Sequence, residues 1–271
     1  MQGVALTSLW VAAARAVETE RLVPLFRDPF ARRLAGEDGF QVLRTLDAIS
    51  NARPPTIEVR TRYFDDEVTS AVGEGIRQVV ILAAGMDARA YRLDWPARTT
   101  LFEVDQPRVL QEKARRIDGA PPRCDRRVVS IDLRLDWPRA LQDAQFDAHL
   151  ATLWLVEGLL PYLREPQATE LLARVTALAS PRSVLLFDSI GRSVLESPWM
   201  KHLLDFVAQL GAPWTFGTDA PEALLDPLRW DARATDFTVV GHRLGRWPLP
   251  AAPRGTPGVP QSFLVKAVRR G

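Results

Sequence analysis

Val79-Val80-Ile81-Leu82-Ala83-Ala84-Gly85-Met86-Asp87, followed by Leu101-Phe102-Glu103-Val104-Asp105, decides the fold. The first stretch reads as a buried strand that turns through small residues at Gly85. The second reads as a strand that ends in a carboxylate. Together they form the entry to an α/β site for an adenosine cofactor: the small-residue turn lets backbone approach the ligand, and an acid about twenty residues on bridges the ribose hydroxyls. No Lys or Ser/Thr closes the turn in the GxxxxGK[ST] manner, so a phosphate cradle is not expected. A nucleoside without phosphates fits, and S-adenosylmethionine is the commonest such cofactor.

Outward from that core, residues 1–75 carry apolar residues at helical spacing, broken at Pro24, Asp28-Pro29 and Pro54-Pro55, and read as a helical N-terminal cap. From Gln78 the texture changes to short apolar runs at 78–83, 99–104, 127–130, 146–155 and 182–188, separated by helix-like segments. That alternation predicts βαβ units in a doubly wound, mostly parallel sheet. Glu165-Pro166 opens a helix that Ser180-Pro181 stops. The division that follows is a cap over 1–75, a cofactor-binding core over 76–190, a helical lid over 191–234 and closing strands over 235–271. The last unit reads as antiparallel strands at Thr235–Val240 and Ser262–Val268, joined by a loop rich in proline.

The chain has 271 residues, 46% of them hydrophobic, enough for one elaborated domain with a full core. Its 35 basic residues include only three lysines, leaving 32 arginines, and a net charge of +2 spread without a basic stripe argues against nucleic-acid binding. One cysteine, Cys124, rules out an internal disulfide and any multi-cysteine metal site, and a reducing cytoplasm is the expected home. Val4–Ala14 is apolar but lacks the basic segment of a signal peptide and runs into Arg15 and Glu18, so it reads as an amphipathic first helix. No run approaches the length of a membrane span. His149, His202 and His242 are scattered, and no metal is expected.

Site candidates follow from the strand ends. Asp105, the last residue of its strand, is the ribose ligand, with Glu103 as the fallback. Asp132 and Leu133 follow the third strand, where adenine would be read. Glu157, one carboxylate in the apolar run Leu150–Leu163, needs a cation or donor, either the methionine end of the cofactor or an arginine of the cap. Arg60 and Arg62, with Arg15 of the first helix, can fork onto the cofactor carboxylate. Trp199, Trp214 and Phe216 lie in an aromatic stretch that reads as an acceptor wall. No general base stands out; Tyr162, Tyr63, His202 or an acid of the lid are the candidates.

In this order the segments resemble the leucine carboxyl methyltransferase family, in particular its bacterial branch of S-adenosylmethionine-dependent enzymes that includes polyketide O-methyltransferases. The resemblance rests on Asp28-Pro29-Phe30-Ala31, Arg60 to Asp66, Leu82 to Leu93, Phe102 to Pro107, Asp132-Leu133-Arg134 with Asp136-Trp137-Pro138, and Glu157 to Leu163. It implies a Rossmann-like class I methyltransferase fold that binds S-adenosyl-L-methionine and O-methylates a small molecule. It places the cofactor carboxylate at Arg60 to Arg62 and Arg15, the ribose at Asp105, the adenine at Asp132 and Leu133, and the methionine end at Glu157. One departure stands out: the family's Gly-Ala-Gly turn is Ala83-Ala84-Gly85 here, so Ala83 adds a methyl where backbone approaches the cofactor. A carboxylate acceptor, already ionised at neutral pH, would need only alignment and exclusion of water; a hydroxyl would need help losing its proton. A nicotinamide reductase would show a complete GxGxxG and a Tyr/Lys pair, which this chain lacks. A non-catalytic cofactor-binding relative would keep the same strand ends without a productive acceptor pocket.

Overall fold

The computed structural model describes residues 3–50, 54–248 and 250–271. Helices α1 (Val4–Thr19), α2 (Ala31–Ser50) and α3 (Thr56–Gly73) precede the sheet. There follow β1 (Gln78–Leu82), the short α4 (Arg89–Arg92), β2 (Thr100–Asp105), α5 (Pro107–Ile117), β3 (Asp125–Ser130), α6 (Trp137–Asp143), β4 (Thr152–Val156), α7 (Glu165–Leu178) and β5 (Val184–Ile190). The chain closes with α8 (Arg192–Glu196), α9 (Lys201–Gln209), β6 (Trp230–Asp236), α10 (Phe237–Arg243) and β7 (Ser262–Arg269), with 3-10 turns at Leu160–Tyr162, Pro198–Met200 and Pro221–Leu228.

The strands form a seven-stranded sheet in the order β3-β2-β1-β4-β5-β7-β6. All pairings are parallel except those of β7, which lies antiparallel between β5 and β6. Alternation along the strands divides the core in two. Val79 and Ile81 face α1, α2, α3 and α10 through Leu9, Leu46, Phe64 and Phe237. Val80 and Leu82 face α6 and α7 through Trp137, Leu141, Leu172 and Val175. The strand order reverses at β1 and β4, which places the switch-point crevice at their carboxyl ends. Among the described residues, no helix is long and apolar enough to cross a membrane.

The expected strand at 235–240 is corrected: β6 begins at Trp230 and ends at Asp236, and Phe237–Arg243 is helical. The Asp236 carboxylate accepts hydrogen bonds from the Thr238 backbone N–H at 2.7 Å and its hydroxyl at 2.6 Å, an N-cap that starts a helix. Phe237, Val240 and Gly241 are then buried at helical spacing, and this packing outweighs the β-branched run Thr238-Val239-Val240. The segment beginning at residue 191 therefore gives up Trp230–Ala234 to the sheet. Likewise β4 begins at Thr152 rather than near 146, because Asp147–Leu150 forms a turn.

The turn after β1 carries its own strain. Gly85 has φ 46°, and a Cβ there would lie 3.1 Å from the Cβ of Ser8, so glycine lets α1 lie on the turn. Ala83 holds φ 55° without that freedom. A non-glycine residue in this region costs about 1 to 2 kcal/mol, partly offset by the greater unfolded-state freedom of glycine. Ala83→Gly should therefore raise unfolding stability by about 0.5 to 1 kcal/mol, read from the urea midpoint. An unchanged or lower midpoint would show that the methyl is packed well enough to compensate.

Candidate functional site

A cavity of about 840 Å³ opens at the carboxyl ends of the strands, floored by the turn after β1 and walled by α1, α3 and the segment around α8 and α9. At one end Asp105 accepts the Gly85 backbone N–H at 2.7 Å and the Gln106 N–H at 2.6 Å. Its carboxylate thus braces the turn and the start of α5 together. Burial pushes the Asp105 carboxyl up from its ordinary range, against the pull of those two N–H donors. Asp132 and Leu133 line the same end. Arg134 lies 2.7 Å from Asp132 and holds that carboxyl below its ordinary range.

At the other end the cavity floor is a buried ion network joining cap to sheet. Arg60, on α3, donates through Nε to Glu157 at 2.9 Å and through Nη1 to Asp188 at 3.0 Å. Arg89, at the start of α4, donates to Asp65 and Glu157, each at 2.8 Å, and pairs with Asp87. Arg92 adds a fork to Asp65 at 2.6 Å, and Arg15 reaches Asp28 at 2.9 Å and the Met86 carbonyl. Burial opposes the Arg89 charge, and Asp87, Glu157 and Asp65 hold it in place. Burial alone would likewise raise Asp87, yet Arg89, Lys113 and Arg15 hold it at about 2. Asp188 remains raised, burial outweighing Arg60. Gly158, with φ 65°, donates its N–H to Asp188 at 2.6 Å, and a Cβ there would come within 3.2 Å of Arg60 Nη1.

The sequence candidates thus divide. Arg15, Arg60, Ala83, Gly85, Asp105, Asp132, Leu133 and Glu157 all line the one cavity. Arg62 does not: two residues on from Arg60 it faces another side of α3, pairing with Asp66 at 2.9 Å and the Leu25 carbonyl at 2.7 Å. Glu103 is also removed from the cavity, fully buried between Lys113 at 2.9 Å and Arg126 at 2.6 Å. Tyr162, His202, Trp199 and Trp214 line the cavity's second half, Trp199 at its mouth and 85% exposed. Phe216 is a correction, since it is buried among Leu225 and Trp230 on the α7 side of the sheet. Tyr63 is core as well, its phenol pushed up to about 12 first by burial and then by Glu67. Among the described residues, no group of three or more His, Cys, Asp or Glu is placed to hold a metal ion.

Sequence reasoning assigned no role to Asp65, Asp87, Arg89, Arg92 or Asp188. Asp188 had a readable signal, because it is an acid inside the apolar run Val184–Ile190, the same argument that selected Glu157. Asp87 and Arg89 follow the Gly85 turn directly, but their partners lie far away in sequence.

The family model for leucine carboxyl methyltransferase matches residues 8–176, which spans α1 to the end region of α7. The chain belongs to the leucine carboxyl methyltransferase family. Within it, proteins of Mycobacterium tuberculosis H37Ra and Mycobacterium bovis BCG, provisionally named as S-adenosyl-L-methionine-dependent methyltransferases, are 47% identical over 203 residues. That match covers 69% of this chain and 65% of each relative, so the chain spans less than two thirds of their length. Among solved structures, a provisionally named methyltransferase from Thermobifida fusca superimposes with a TM-score of 0.65 at 17% identity, over 100% of this chain and 96% of that one. A DUF574 protein from Streptomyces avermitilis gives 0.64 at 11% identity, over 99% and 98%. At such identities the two structures speak for the fold, the Rossmann-like methyltransferase architecture.

Removing one member of a buried charge network leaves its partners uncompensated and costs about 3 to 5 kcal/mol. Arg89→Ala, which leaves Asp87 without its ion-pair partner and takes one of two arginines from Asp65 and from Glu157, should lower unfolding stability by about that amount in urea titration. A loss below about 1 kcal/mol would mean that water replaces the guanidinium and that the network does not bind cap to sheet.

Proposed function

We propose that this chain is an S-adenosyl-L-methionine-dependent O-methyltransferase acting on an oxygen, carboxylate or hydroxyl, of a small and largely apolar acceptor such as a polyketide. The observation that carries the reading is the convergence of Gly85, Asp105, Asp132 and Glu157, each from the carboxyl end of a different strand, on one cavity at the switch point. Family membership supports it, as do the names of the mycobacterial relatives.

The residues present fit the cofactor. Asp105, partly desolvated and already aligned by two backbone N–H groups, has lone pairs for a ribose diol. Asp132 and Leu133 offer a polar and an apolar edge for adenine. Arg60, held by Glu157 and Asp188, presents its guanidinium to a carboxylate, and Glu157 presents its own to an ammonium group. When bound, the cofactor supplies an electrophilic methyl on a sulfonium. The protein's part is then to align the acceptor oxygen with that methyl and to exclude water. We place the acceptor in the cavity's second half, between Tyr162, Trp214 and the residues of α8 and α9, with residues 191–229 acting as its lid.

Calorimetric titration with S-adenosylhomocysteine tests the reading. The wild-type chain should bind it, and Asp105→Asn should lose about 1.5 to 3 kcal/mol of affinity, the scale of charge-assisted hydrogen bonds. Only the ionised carboxylate accepts from both ribose hydroxyls, and its pKa lies above the ordinary aspartate value. Affinity should therefore fall as pH is lowered through that raised range in the wild type and stay flat there in Asp105→Asn. Failure of the folded wild type to bind S-adenosylhomocysteine would overturn the proposal.

A further inference from the structure

The two halves of the cavity differ in charge. Arg15, Arg60, Arg89, Arg92 and Arg134, the arginines that line it, each already face at least one carboxylate within 4 Å. In the ion network at the floor, Asp28, Asp65, Asp87, Glu157 and Asp188 outnumber Arg15, Arg60, Arg89 and Arg92 by one. That excess complements a cofactor that carries one more positive than negative charge. It leaves no uncommitted arginine or lysine among the described lining residues for a second anion.

The second half is apolar, with Ile57, Leu163, Met200 and Leu203 on its walls. Among the described residues that line the cavity, four polar atoms have no hydrogen-bond partner: the indole N–H groups of Trp10 and Trp214, the hydroxyl of Thr61, and Nε of Arg92, which faces Asp28 at 3.8 Å. Trp10 and Thr61 are more than nine-tenths buried. Buried polar groups are ordinarily satisfied; the indoles of Trp137 and Trp154 lack a partner inside the core, whereas those bordering the cavity are the ones a ligand atom or an ordered water can reach. Trp214 is held in position, since the Thr215 N–H donates to the Pro161 carbonyl at 2.7 Å, its hydroxyl donates to the Leu163 carbonyl at 2.8 Å, and the indole meets Tyr162 edge to face at 6.4 Å. An indole N–H only donates, so it selects an oxygen acceptor without requiring that oxygen to be charged.

Resting on the methyltransferase reading above, we infer that the acceptor is an uncharged apolar molecule methylated on a hydroxyl, not a carboxylate. A carboxylate placed here would lose its water with no uncommitted arginine or lysine in exchange and would face the carboxylate excess of the floor. A neutral phenol or alcohol loses far less and gives the orphaned donors a lone pair. In the transfer, the hydroxyl oxygen takes the methyl as the carbon–sulfur bond breaks to leave a neutral thioether. The hydroxyl proton goes to the ring of His202, the one imidazole among the described lining residues, which is exposed and passes it to solvent.

The experiment compares 1-naphthol with 1-naphthoate, which share a skeleton and differ in charge at pH 7. Each is titrated into the full chain saturated with S-adenosylhomocysteine. The naphthol should bind at least about tenfold tighter, because only the naphthoate must shed the hydration of a charge. Trp214→Phe, and separately Thr61→Val, should weaken naphthol about three- to tenfold, the scale of one neutral hydrogen bond, with S-adenosylhomocysteine affinity unchanged. With S-adenosylmethionine in its place, transferred methyl should appear as 1-methoxynaphthalene and not as methyl 1-naphthoate. Equal or tighter naphthoate binding, or no naphthol binding by a protein that binds S-adenosylhomocysteine, would overturn this inference alone. Failure to bind S-adenosylhomocysteine would instead remove the methyltransferase reading and this inference with it.

Discussion

Arg89 is the group on which the rest depends. Its guanidinium reaches Asp65 of the cap, Asp87 of the turn after β1 and Glu157 beyond β4, so three separate segments share one buried cation. A guanidinium suits this place because its donors form a planar fork in fixed geometry and it remains charged under any condition the fold survives. The carboxylates are in turn ordered by other arginines, Arg92 on Asp65 and Arg60 on Glu157. The floor of the cavity is thus set before any ligand arrives, which is what charge-matched recognition in a low-dielectric site requires.

That floor is also where the sequence was least legible. The sheet could be read because a buried strand is a nearly continuous apolar run, and the parallel β1 and β2, β5 at the change of direction and the antiparallel β7 each fall within two residues of the stretches that predict them. Asp105 and Glu157 could be read because each ends or interrupts such a run. The partners of Arg89 could not, since Asp65 lies 24 residues before it and Glu157 68 residues after it, and nothing local marks an arginine as buried in a chain with 32 of them. Arg62 illustrates the converse. It shares a motif with Arg60 but not a helix face, and its side chain turns to Asp66.

The late part of the chain misleads for a different reason. Thr238-Val239-Val240 has strand composition, but one carboxylate, Asp236, caps the following turn, and the helix it starts buries Phe237, Val240 and Gly241 on one face. Phe216, read as a pocket aromatic, is core, as is the neighbouring Trp230, whose indole N–H meets the Thr176 hydroxyl at 2.9 Å. Aromatic content alone does not separate a wall from a core; the separating observation is whether the ring borders the cavity. Trp214 does, whereas Phe216 and Trp230 do not.

The way the Trp214 segment is fastened has a consequence for how such a protein diversifies. Residues 215 and 216 hang from the Pro161 carbonyl through backbone N–H groups, and Gly217 fits a site where a Cβ would lie 2.8 Å from the Gly191 carbonyl oxygen. Main-chain bonds of this kind are blind to the side chains they carry. The floor tolerates almost no substitution because each charge there is held by another, while the wall can exchange side chains around an unchanged backbone clip. Selection acting on such a chain therefore meets two different mutational landscapes within a single cavity, a frozen one beneath the proposed cofactor and a permissive one around whatever the cofactor modifies.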